Sequence, residues 1–193
     1  GATNLVTGIA NAYMDSIPLI VLTGQVPTHL LGTDSFQEVD ITGITYPITK
    51  HSYLVKDPRD IPRIVKEAFY IASTGRPGPV LIDLPRDILA ATDVKAHPAT
   101  LSLKSYKFFG KGNILQIEET ARAIAKSRKP ILYAGGGVIT SGADKVLREL
   151  VEITGIPVVT TLMGIGSLPA GHPNLIGMVG MHGAPAANYA VDD

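Results

Sequence analysis

Residues 75–87 read GRPGPVLIDLPRD, and this stretch decides the fold class. Its centre, Val80–Leu84, is a short, mostly apolar run that glycine and proline precede and charged residues follow. A strand covered on both faces gives such a run, and strands of this kind belong to parallel sheets between helices. We therefore predict a buried parallel strand here. The stiff turn before it would fix the direction of Arg76, although a solvated turn arginine is the more common role.

Similar apolar runs lie on either side of this strand along the chain. They are Leu19–Leu22, Ile131–Ala134 and, more weakly, Val158–Thr160. Apolar residues also recur at helical spacing in three stretches, residues 61–72, 117–125 and 146–151. Asp60 is the expected N-cap of the first helix, and Gly75 is its expected end. Because strands and helices alternate, the sequence predicts an α/β protein with parallel sheets.

Residues 90–111 break this alternation. They show little periodicity, and their His97-Pro98 pair is typical of a loop. We expect this segment to be a linker between two lobes, residues 1–89 and residues 112–193, each a three-layer arrangement around its own parallel sheet.

The composition excludes several classes of protein. The 193 residues carry 17 Lys and Arg against 17 Asp and Glu, so no net charge marks a surface for nucleic acid or an anionic membrane. The absence of cysteine excludes disulfides and thiolate metal sites and fits a reducing compartment. No apolar run reaches the roughly 18 residues of a membrane span. No signal peptide is visible. The chain begins with Gly1 rather than Met and its last motif has no clear end, so we expect a piece of a longer protein.

Small and polar residues follow several predicted strands, at the sheet edge where open α/β sheets bind ligands. Gly135–Gly137 follows one strand and precedes a helix, so a phosphate or a flat cofactor can approach the backbone. Thr140 stands where a full dinucleotide fingerprint has its last glycine, and a simple tight turn is the more common role of such glycines. Thr160–Gly164 and Gly180–Gly183 occupy equivalent places after their own apolar runs.

Other polar residues carry weaker signals. Gln37 or Glu38, in a loop rich in polar residues, is a candidate hydrogen-bonding group of a site. For Lys50, Arg86 and His182, a solvated or structural role is the default. The sequence has no Ser-His-Asp elbow, no H-E-x-x-H motif and no Walker loop. The residues alone therefore predict a nucleotide-like cofactor site in the second lobe and leave the reaction open.

Several short motifs, each weak alone, occur together in a fixed order. Residues 1–8, GATNLVTG, are similar to the end of a Gly-Pro-Gly-Ala-Thr-Asn motif. The series continues with LTGQVP (22–27), DSFQE (34–38), TKH (49–51), GRPGP (75–79), DLPRD (83–87), YAGGG (133–137), TLMG (161–164), GMHG (180–183) and ANYAV (187–191). Through this series, which covers essentially the whole chain, the sequence closely resembles the large catalytic subunits of the acetolactate synthase family of thiamine-diphosphate enzymes.

This resemblance implies domains and residue roles. Residues 1–89 would be the later part of a pyrimidine-binding domain, and residues 112–193 most of a central, Rossmann-like FAD-binding domain. Gln37 would lie near thiamine diphosphate. The substrate channel, which is also the herbicide site of this family, would contain Pro27, Phe36, Lys50 and Arg86. Contacts with FAD would come from Arg76, Gly136, Thr161, Leu162, Val179, Gly180, Met181 and His182.

The resemblance also implies an activity. The full-length protein would decarboxylate pyruvate and join the two-carbon unit to a second 2-oxoacid, pyruvate or 2-oxobutyrate, in branched-chain amino-acid biosynthesis. Its cofactors would be thiamine diphosphate, Mg2+ and a FAD that performs no net redox step. It would form a homodimer or a larger assembly and bind a small regulatory subunit. The cytoplasm is the expected location, or a plastid for a plant protein.

The catalytic Glu of the family would precede Gly1, and the metal-binding segment and the last flavin-binding stretch would follow the end of the chain. No residue of this chain is therefore assigned as catalytic or metal-binding. This chain should be inactive alone, and FAD is the one cofactor that we expect it to bind by itself. Two alternatives stay open. One is another thiamine-diphosphate enzyme, of the pyruvate oxidase or glyoxylate carboligase type, and the other is a non-catalytic nucleotide-binding module that uses the second lobe.

Overall fold

The computed structural model describes residues 1–92, 94–95, 101, 103–108 and 110–192. They form two compact units, Gly1–Lys111 and Gly112–Asp193, named unit 1 and unit 2. The described residues of the expected linker belong to unit 1, where Leu103 and Tyr106 pack against the core. The expected break at His97-Pro98 lies outside the described residues.

Helices cover both faces of a parallel sheet in unit 1. Its described elements are α1 (Val6–Met14), β1 (Leu19–Gln25), α2 (Ile41–Thr45), β2 (His51–Leu54), α3 (Ile61–Ser73), β3 (Pro79–Pro85) and α4 (Arg86–Leu89). Short 3-10 turns lie at Ala2–Leu5, Thr28–Leu30, Tyr46–Ile48 and Pro58–Asp60. The strand order is β1-β3-β2 and both pairings are parallel, with Thr23 opposite Asp83 and Ser52 opposite Leu81.

The central strand, β3, is the buried parallel strand that its apolar run predicts. On one face, Ile82 belongs to the apolar cluster of Ile64 in α3. On the other face, Leu81 packs with Ile9 of α1 and Ile41 of α2. Because successive side chains of a strand point to opposite faces, this one strand joins both layers of helices to the sheet.

The outer strands depart from the sequence prediction. Leu19–Leu22 forms a strand, but the prediction that this run is buried is wrong for Leu19 and for Leu22, which is 60% exposed. β1 lies at one end of the strand order, and the cluster under α3 reaches Ile20 on it. β2 was not predicted, because His51 and Ser52 leave no continuous apolar run to mark it.

Helix α3 has the predicted position and ends. Asp60 occupies its N-cap position, but its side chain makes no capping hydrogen bond to the helix and instead pairs with Arg63. The preceding 3-10 turn is capped by Asp57, whose carboxylate accepts a hydrogen bond from the Arg59 amide at 2.9 Å. The helix ends at Ser73, and Gly75 follows with a φ of +61°. The conformational freedom of glycine thus allows the chain to turn from α3 into β3.

Unit 2 is a second α/β unit with shorter strands. Its described elements are α5 (Ile114–Lys126), β4 (Leu132–Ala134), α6 (Gly136–Thr140), α7 (Asp144–Thr154), β5 (Val158–Thr160), β6 (Leu175–Met178) and α8 (Pro185–Asp192), with a 3-10 turn at Leu162–Gly164. The strand order is β4-β5-β6, all parallel, and Val158 of β5 packs with Ala134, Val151 and Leu168. The predicted α/β fold with parallel sheets is confirmed in both units.

Helix α5 lies where its apolar stripe predicts a helix, but the stripe is largely exposed, including Ile117, Ala121 and Ala125. None of the helices in the described part of the chain is both long and apolar enough to cross a membrane.

Candidate functional site

Unit 1 has a pocket of about 740 Å³ at the place where β1 and β3 end. The carboxyl ends of neighbouring parallel strands are where open α/β sheets bind ligands. Four residues that the resemblance singles out line this pocket: Pro27, Phe36, Gln37 and Arg86. The first three come from the loop that follows β1, and the fourth begins α4 directly after β3. Phe36 is 88% exposed, so it offers an accessible apolar wall.

A buried carboxylate connects the two strands that end at this pocket. Asp83 of β3 is 1% exposed, and its Oδ1 accepts from the Thr23 hydroxyl at 2.7 Å while its Oδ2 accepts from Gln25 Nε2 at 3.0 Å. Burial raises the pKa of Asp83, and the two hydrogen bonds act in the opposite direction. Sequence reasoning gave no role to Asp83 or Gln25. The signal in the sequence that could have revealed a role for Asp83 is its place inside the apolar run Val80–Leu84, since a buried charge needs hydrogen-bonding partners.

The loop that carries Phe36 and Gln37 is ordered by Glu38. The Glu38 carboxylate accepts hydrogen bonds from the backbone amides of Gly32 and Ser35. These bonds, the one from Gly32 foremost, lower the pKa of Glu38 below its ordinary value of 4.5. Gln37 has a φ of +63°, a left-handed conformation that a non-glycine residue keeps only where its surroundings fix it. Of the two candidate hydrogen-bonding groups in this loop, Gln37 and Glu38, it is Glu38 that stabilises the conformation of the loop.

The segment after β1 is tied to α4 by a second carboxylate. Asp87 accepts from the Thr28 amide at 3.0 Å and from the Thr28 hydroxyl at 2.5 Å. The same two bonds, the hydroxyl bond foremost, lower the pKa of Asp87. Pro27 and Arg86 are the sequence neighbours of this bonded pair, so the pair holds both of them at the pocket.

The order of the loop should depend on the ionisation of Glu38. Because its folded-state pKa lies below 4.5, the carboxylate stabilises the loop above that pH, and the stabilisation is lost as the pH falls through the folded-state pKa. We expect amide hydrogen exchange of residues 32–38, corrected for intrinsic rates, to increase as the pH falls below 4.5. Glu38→Gln should raise this exchange several-fold at neutral pH and remove its dependence on pH.

Asp87→Asn is the matched control for this experiment, because the Asp87 carboxylate binds Thr28, outside residues 32–38. It should leave exchange of residues 32–38 unchanged. If Glu38→Gln also left this exchange unchanged at neutral pH, Glu38 would not be the residue that orders the loop.

Lys50 and Arg76 lie elsewhere in unit 1. Both precede a strand, β2 and β3 respectively, and so stand at the amino end of the sheet, whereas the pocket is at the carboxyl end. The Lys50 ammonium donates to the carbonyls of Ile71 and Thr74, the latter at 2.6 Å, where a cation stabilises the C-terminal end of α3. Arg76 Nε donates to the Ser16 hydroxyl at 2.8 Å. The structure of unit 1 does not bring these two residues to the pocket.

In unit 2, the glycine-rich segment after β4 packs against the segment after β5. Thr161 Oγ1 accepts from the amide of Gly164 at 3.0 Å and so caps the 3-10 turn that follows β5. A Cβ on Gly164 would lie 2.2 Å from the carbonyl oxygen of Ala134, the last residue of β4. Only glycine fits at this position, and its fit lets the two strand ends lie close together.

The turn after β6 completes the same edge of the sheet. Asn188 of α8 holds both backbone groups of Gly180: its Oδ1 accepts from the Gly180 amide at 2.8 Å, and its Nδ2 donates to the Gly180 carbonyl at 3.0 Å. Met181, next to this fixed residue, is 91% exposed. The sequence gives no role to Asn188 beyond its place in the ANYAV motif, because hydrogen bonds from a side chain to the backbone of Gly180 leave no residue pattern.

The residues of unit 2 predicted to contact FAD therefore lie where three adjacent parallel strands end. They are Gly136 after β4, Thr161 and Leu162 after β5, and Val179, Gly180, Met181 and His182 after β6. Within the described residues, no group of three or more His, Asp or Glu side chains is placed to hold a metal ion.

Two family profiles match the chain. The N-terminal TPP binding domain of thiamine pyrophosphate enzymes matches residues 1–44, and the central domain of thiamine pyrophosphate enzymes matches residues 117–193. The first match includes Pro27, Phe36 and Gln37 of the pocket, and the second includes the strand ends of unit 2.

Curated relatives match over the whole chain. The probable acetolactate synthase large subunit of Methanocaldococcus jannaschii is 55% identical over 196 residues, which cover 100% of this chain and 33% of that protein. The acetolactate synthase of Mycobacterium bovis is 55% identical over 191 residues, with coverages of 99% and 31%. The acetolactate synthase isozyme 3 large subunit of Escherichia coli is 50% identical over 193 residues, with coverages of 99% and 34%. The chain thus spans about a third of the length of the curated relatives it matches.

Proposed function

Because the chain belongs to the family of the acetolactate synthase large subunits, we propose that the full-length protein decarboxylates pyruvate and joins the two-carbon unit to a second 2-oxoacid, pyruvate or 2-oxobutyrate. Identity of 50–55% with acetolactate synthases over the whole chain carries this proposal. The products would be 2-acetolactate or its ethyl homologue, which serve branched-chain amino-acid biosynthesis. The oxidase, glyoxylate carboligase and binding-module alternatives have no comparable observation in their favour.

The pocket of unit 1 fits a 2-oxoacid and part of thiamine diphosphate. When bound, thiamine diphosphate supplies the electron sink that decarboxylation requires. Arg86 offers a planar guanidinium that pairs with a carboxylate through two hydrogen bonds. Gln37 offers an amide that both donates and accepts, which suits a polar cofactor ring. Phe36 and Pro27 supply an apolar wall that suits contact with the apolar part of a bound ligand.

Unit 2 is proposed to bind FAD along the ends of its three strands. At Gly137 and Gly180, an added Cβ would meet no atom within 4 Å, so the backbone there is open to a flat ring or a phosphate. Leu162, after β5, and Met181, after β6, are exposed apolar side chains and suit contact with a ring system. The reaction is redox-neutral, so the flavin would perform no net redox step. Arg76 is included in this proposal from the resemblance alone.

Further parts of the proposal concern the full-length protein. Residues 1–89 belong to its pyrimidine-binding domain and residues 112–193 to its FAD-binding domain. Mg2+ would bind with the diphosphate, and we assign no residue of this chain to it. The catalytic Glu would lie outside the chain, so activity is expected of the full-length protein and not of these residues alone. A homodimer, a small regulatory subunit and a cytoplasmic location complete the proposal.

Product analysis on the full-length protein tests the activity. With pyruvate, thiamine diphosphate, Mg2+ and FAD, we expect acetolactate and CO2 in equal amounts, and no activity when thiamine diphosphate is omitted. Peroxide formation under oxygen would identify an oxidase instead. Turnover of glyoxylate in preference to pyruvate would identify a carboligase of the other type.

Arg86→Ala is expected to lower kcat/KM for pyruvate about tenfold or more, mainly through a higher KM. A hydrogen bond to a charged group contributes about 1.5–3 kcal/mol, and about 1.4 kcal/mol is a factor of ten in binding. The matched control is Arg122→Ala, because Arg122 is an exposed arginine of α5 that pairs with Glu118. Steady-state kinetics of both variants test the proposed role of Arg86. An unchanged KM in the Arg86 variant would mean that Arg86 does not bind pyruvate, and it would leave the proposed product unaffected.

A further inference from the structure

One side chain closes the loop of residues 26–39, which carries Pro27 and Phe36 of the predicted channel and Gln37 of the predicted thiamine-binding site. Gln25, the last residue of β1, lies directly before this loop and lines the pocket. Its Oε1 accepts from the Val26 amide at 2.9 Å, and its Nε2 donates to the Val39 carbonyl at 2.8 Å. A single amide group thus binds the first and the last residue of the loop.

Asp83 determines which way round this amide lies. Asp83 Oδ2 accepts the second Nε2 hydrogen bond of Gln25 at 3.0 Å, and Asp83 Oδ1 is already taken by the Thr23 hydroxyl. An amide oxygen facing an acceptor would be repelled, so the nitrogen must face Asp83, and the oxygen is thereby directed to Val26. The Asp83 carbonyl also accepts from the Val55 amide at 3.0 Å, so the anchor is fixed from both sides of β3.

The loop needs a fixed closure because part of its backbone is strained. Asp34 and Gln37 have φ values of +56° and +63°, and such residues keep this conformation only where other contacts over-determine it. Glu38 binds Gly32 and Ser35, which lie within the loop, so its bonds do not tie the loop to the sheet. Gln25 makes that connection. A loop held in advance loses less conformational freedom when a ligand binds.

We propose that Gln25 is a positioning residue of this pocket. Through Val39 it holds the loop in the arrangement in which Phe36 and Gln37 meet the ligand, and buried Asp83 fixes the orientation of its amide. The identity of the ligand, a 2-oxoacid with thiamine diphosphate, rests on the proposed function. The closure of the loop does not rest on the proposed function, and it can be measured without any ligand.

A pair of variants separates loop closure from the stability of the sheet. Gln25→Glu keeps the shape of the side chain but removes both donors, so the new carboxylate faces the acceptors Asp83 and Val39. Adding Asp83→Asn supplies an amide donor towards position 25 and restores a bond between β1 and β3. It does not restore the bond to Val39. The double variant should therefore regain stability but not loop closure.

Three measurements on the full-length protein are compared: the melting temperature, amide hydrogen exchange of residues 26–39, and kcat/KM for pyruvate. Gln25→Glu is expected to lower the melting temperature, to raise exchange in the loop about tenfold or more, and to lower kcat/KM by about tenfold, the usual scale for one lost hydrogen bond to a charged or buried group. The double variant should recover most of the melting temperature, while loop exchange and kcat/KM stay changed. Gln116→Glu makes the same change at an exposed position of α5 and should alter none of the three.

The outcomes are distinct. If the double variant recovers loop protection together with stability, or if Gln25→Glu leaves loop exchange unchanged, Gln25 is only a structural residue of the sheet and the proposal is wrong. If the wild-type protein does not act on pyruvate, the proposed function fails, but the exchange comparison still decides the role of Gln25.

Discussion

Replacing Gly164 with alanine is expected to lower the free energy of unfolding of unit 2 by about 3 kcal/mol, near the upper end of the usual cost of overpacking. The added Cβ would lie 2.2 Å from the Ala134 carbonyl oxygen. That oxygen cannot simply move away, because it accepts the Thr161 amide at 3.0 Å where β4 and β5 end. The clash is therefore relieved only by separating the two strand ends, which are also the proposed FAD-binding edge.

Gly137→Ala is the matched control, because an added Cβ there meets no atom within 4 Å and alanine favours the helical conformation of α6. Gly136→Ala should fall between the two, since its Cβ would lie 2.9 Å from Met163 Cβ. Thermal unfolding by circular dichroism should show a fall on the order of 10 °C for the Gly164 variant and none for the Gly137 variant. Equal melting temperatures for these two variants would contradict the packing argument.

The Gly164 variant also tests the proposed flavin site. After incubation with FAD and removal of the excess, the wild-type protein should retain a visible flavin band, and the Gly164 variant should lose it. A destabilised Gly164 variant that kept its flavin would leave the packing argument intact and would place the flavin away from these strand ends.

The apolar runs locate β1 and β4 as well as β3 and β5, but the prediction of burial holds only for strands that are covered on both faces, since Leu22 of β1 and Tyr133 of β4 are exposed. β3 and β5 are buried throughout, apart from Leu84 at the end of β3, and both are marked by apolar runs. β2 escapes such a prediction because polar residues interrupt it, and its place in the sheet comes from pairing with β3. The carboxyl-end rule correctly indicated where small and polar residues of unit 2 would meet, since that rule needs only the order of strands and loops.

The residues that hold the site together could not be predicted in the same way. Gln25 and Asp83 are 58 positions apart, and neither periodicity nor spacing connects them before the strands are paired. Lys50 shows the reverse case. It lies in the motif TKH, but its ammonium binds the end of α3 through carbonyls 21 and 24 positions away. Contacts between distant residues decide these roles, and an apolar pattern carries no information about them.

Leu81→Ala is expected to lower the free energy of unfolding of unit 1 by about 3 kcal/mol, within the usual range for a buried leucine. Leu81 is fully buried in the central strand and packs with Ile9 of α1, Val21 of β1 and Ile41 of α2. These neighbours belong to three separate elements, each held by its own hydrogen bonds, so they cannot collapse freely into the space that the side chain leaves. The loss therefore contains both the transfer free energy of the missing carbons and the cost of a cavity.

Leu22→Ala is the control, because Leu22 lies in the neighbouring strand, in an apolar run that looks the same in sequence, but its side chain is mostly exposed. Its loss should change the free energy of unfolding by no more than about 0.5 kcal/mol. Urea unfolding, together with amide exchange of residues 79–85 to follow unit 1 specifically, measures both variants. If β3 is covered on both faces and β1 is not, the loss of unfolding free energy is large for the Leu81 variant and small for the Leu22 variant. Similar losses would mean that β1 is covered as well, and that its exposed face is occupied in the intact protein.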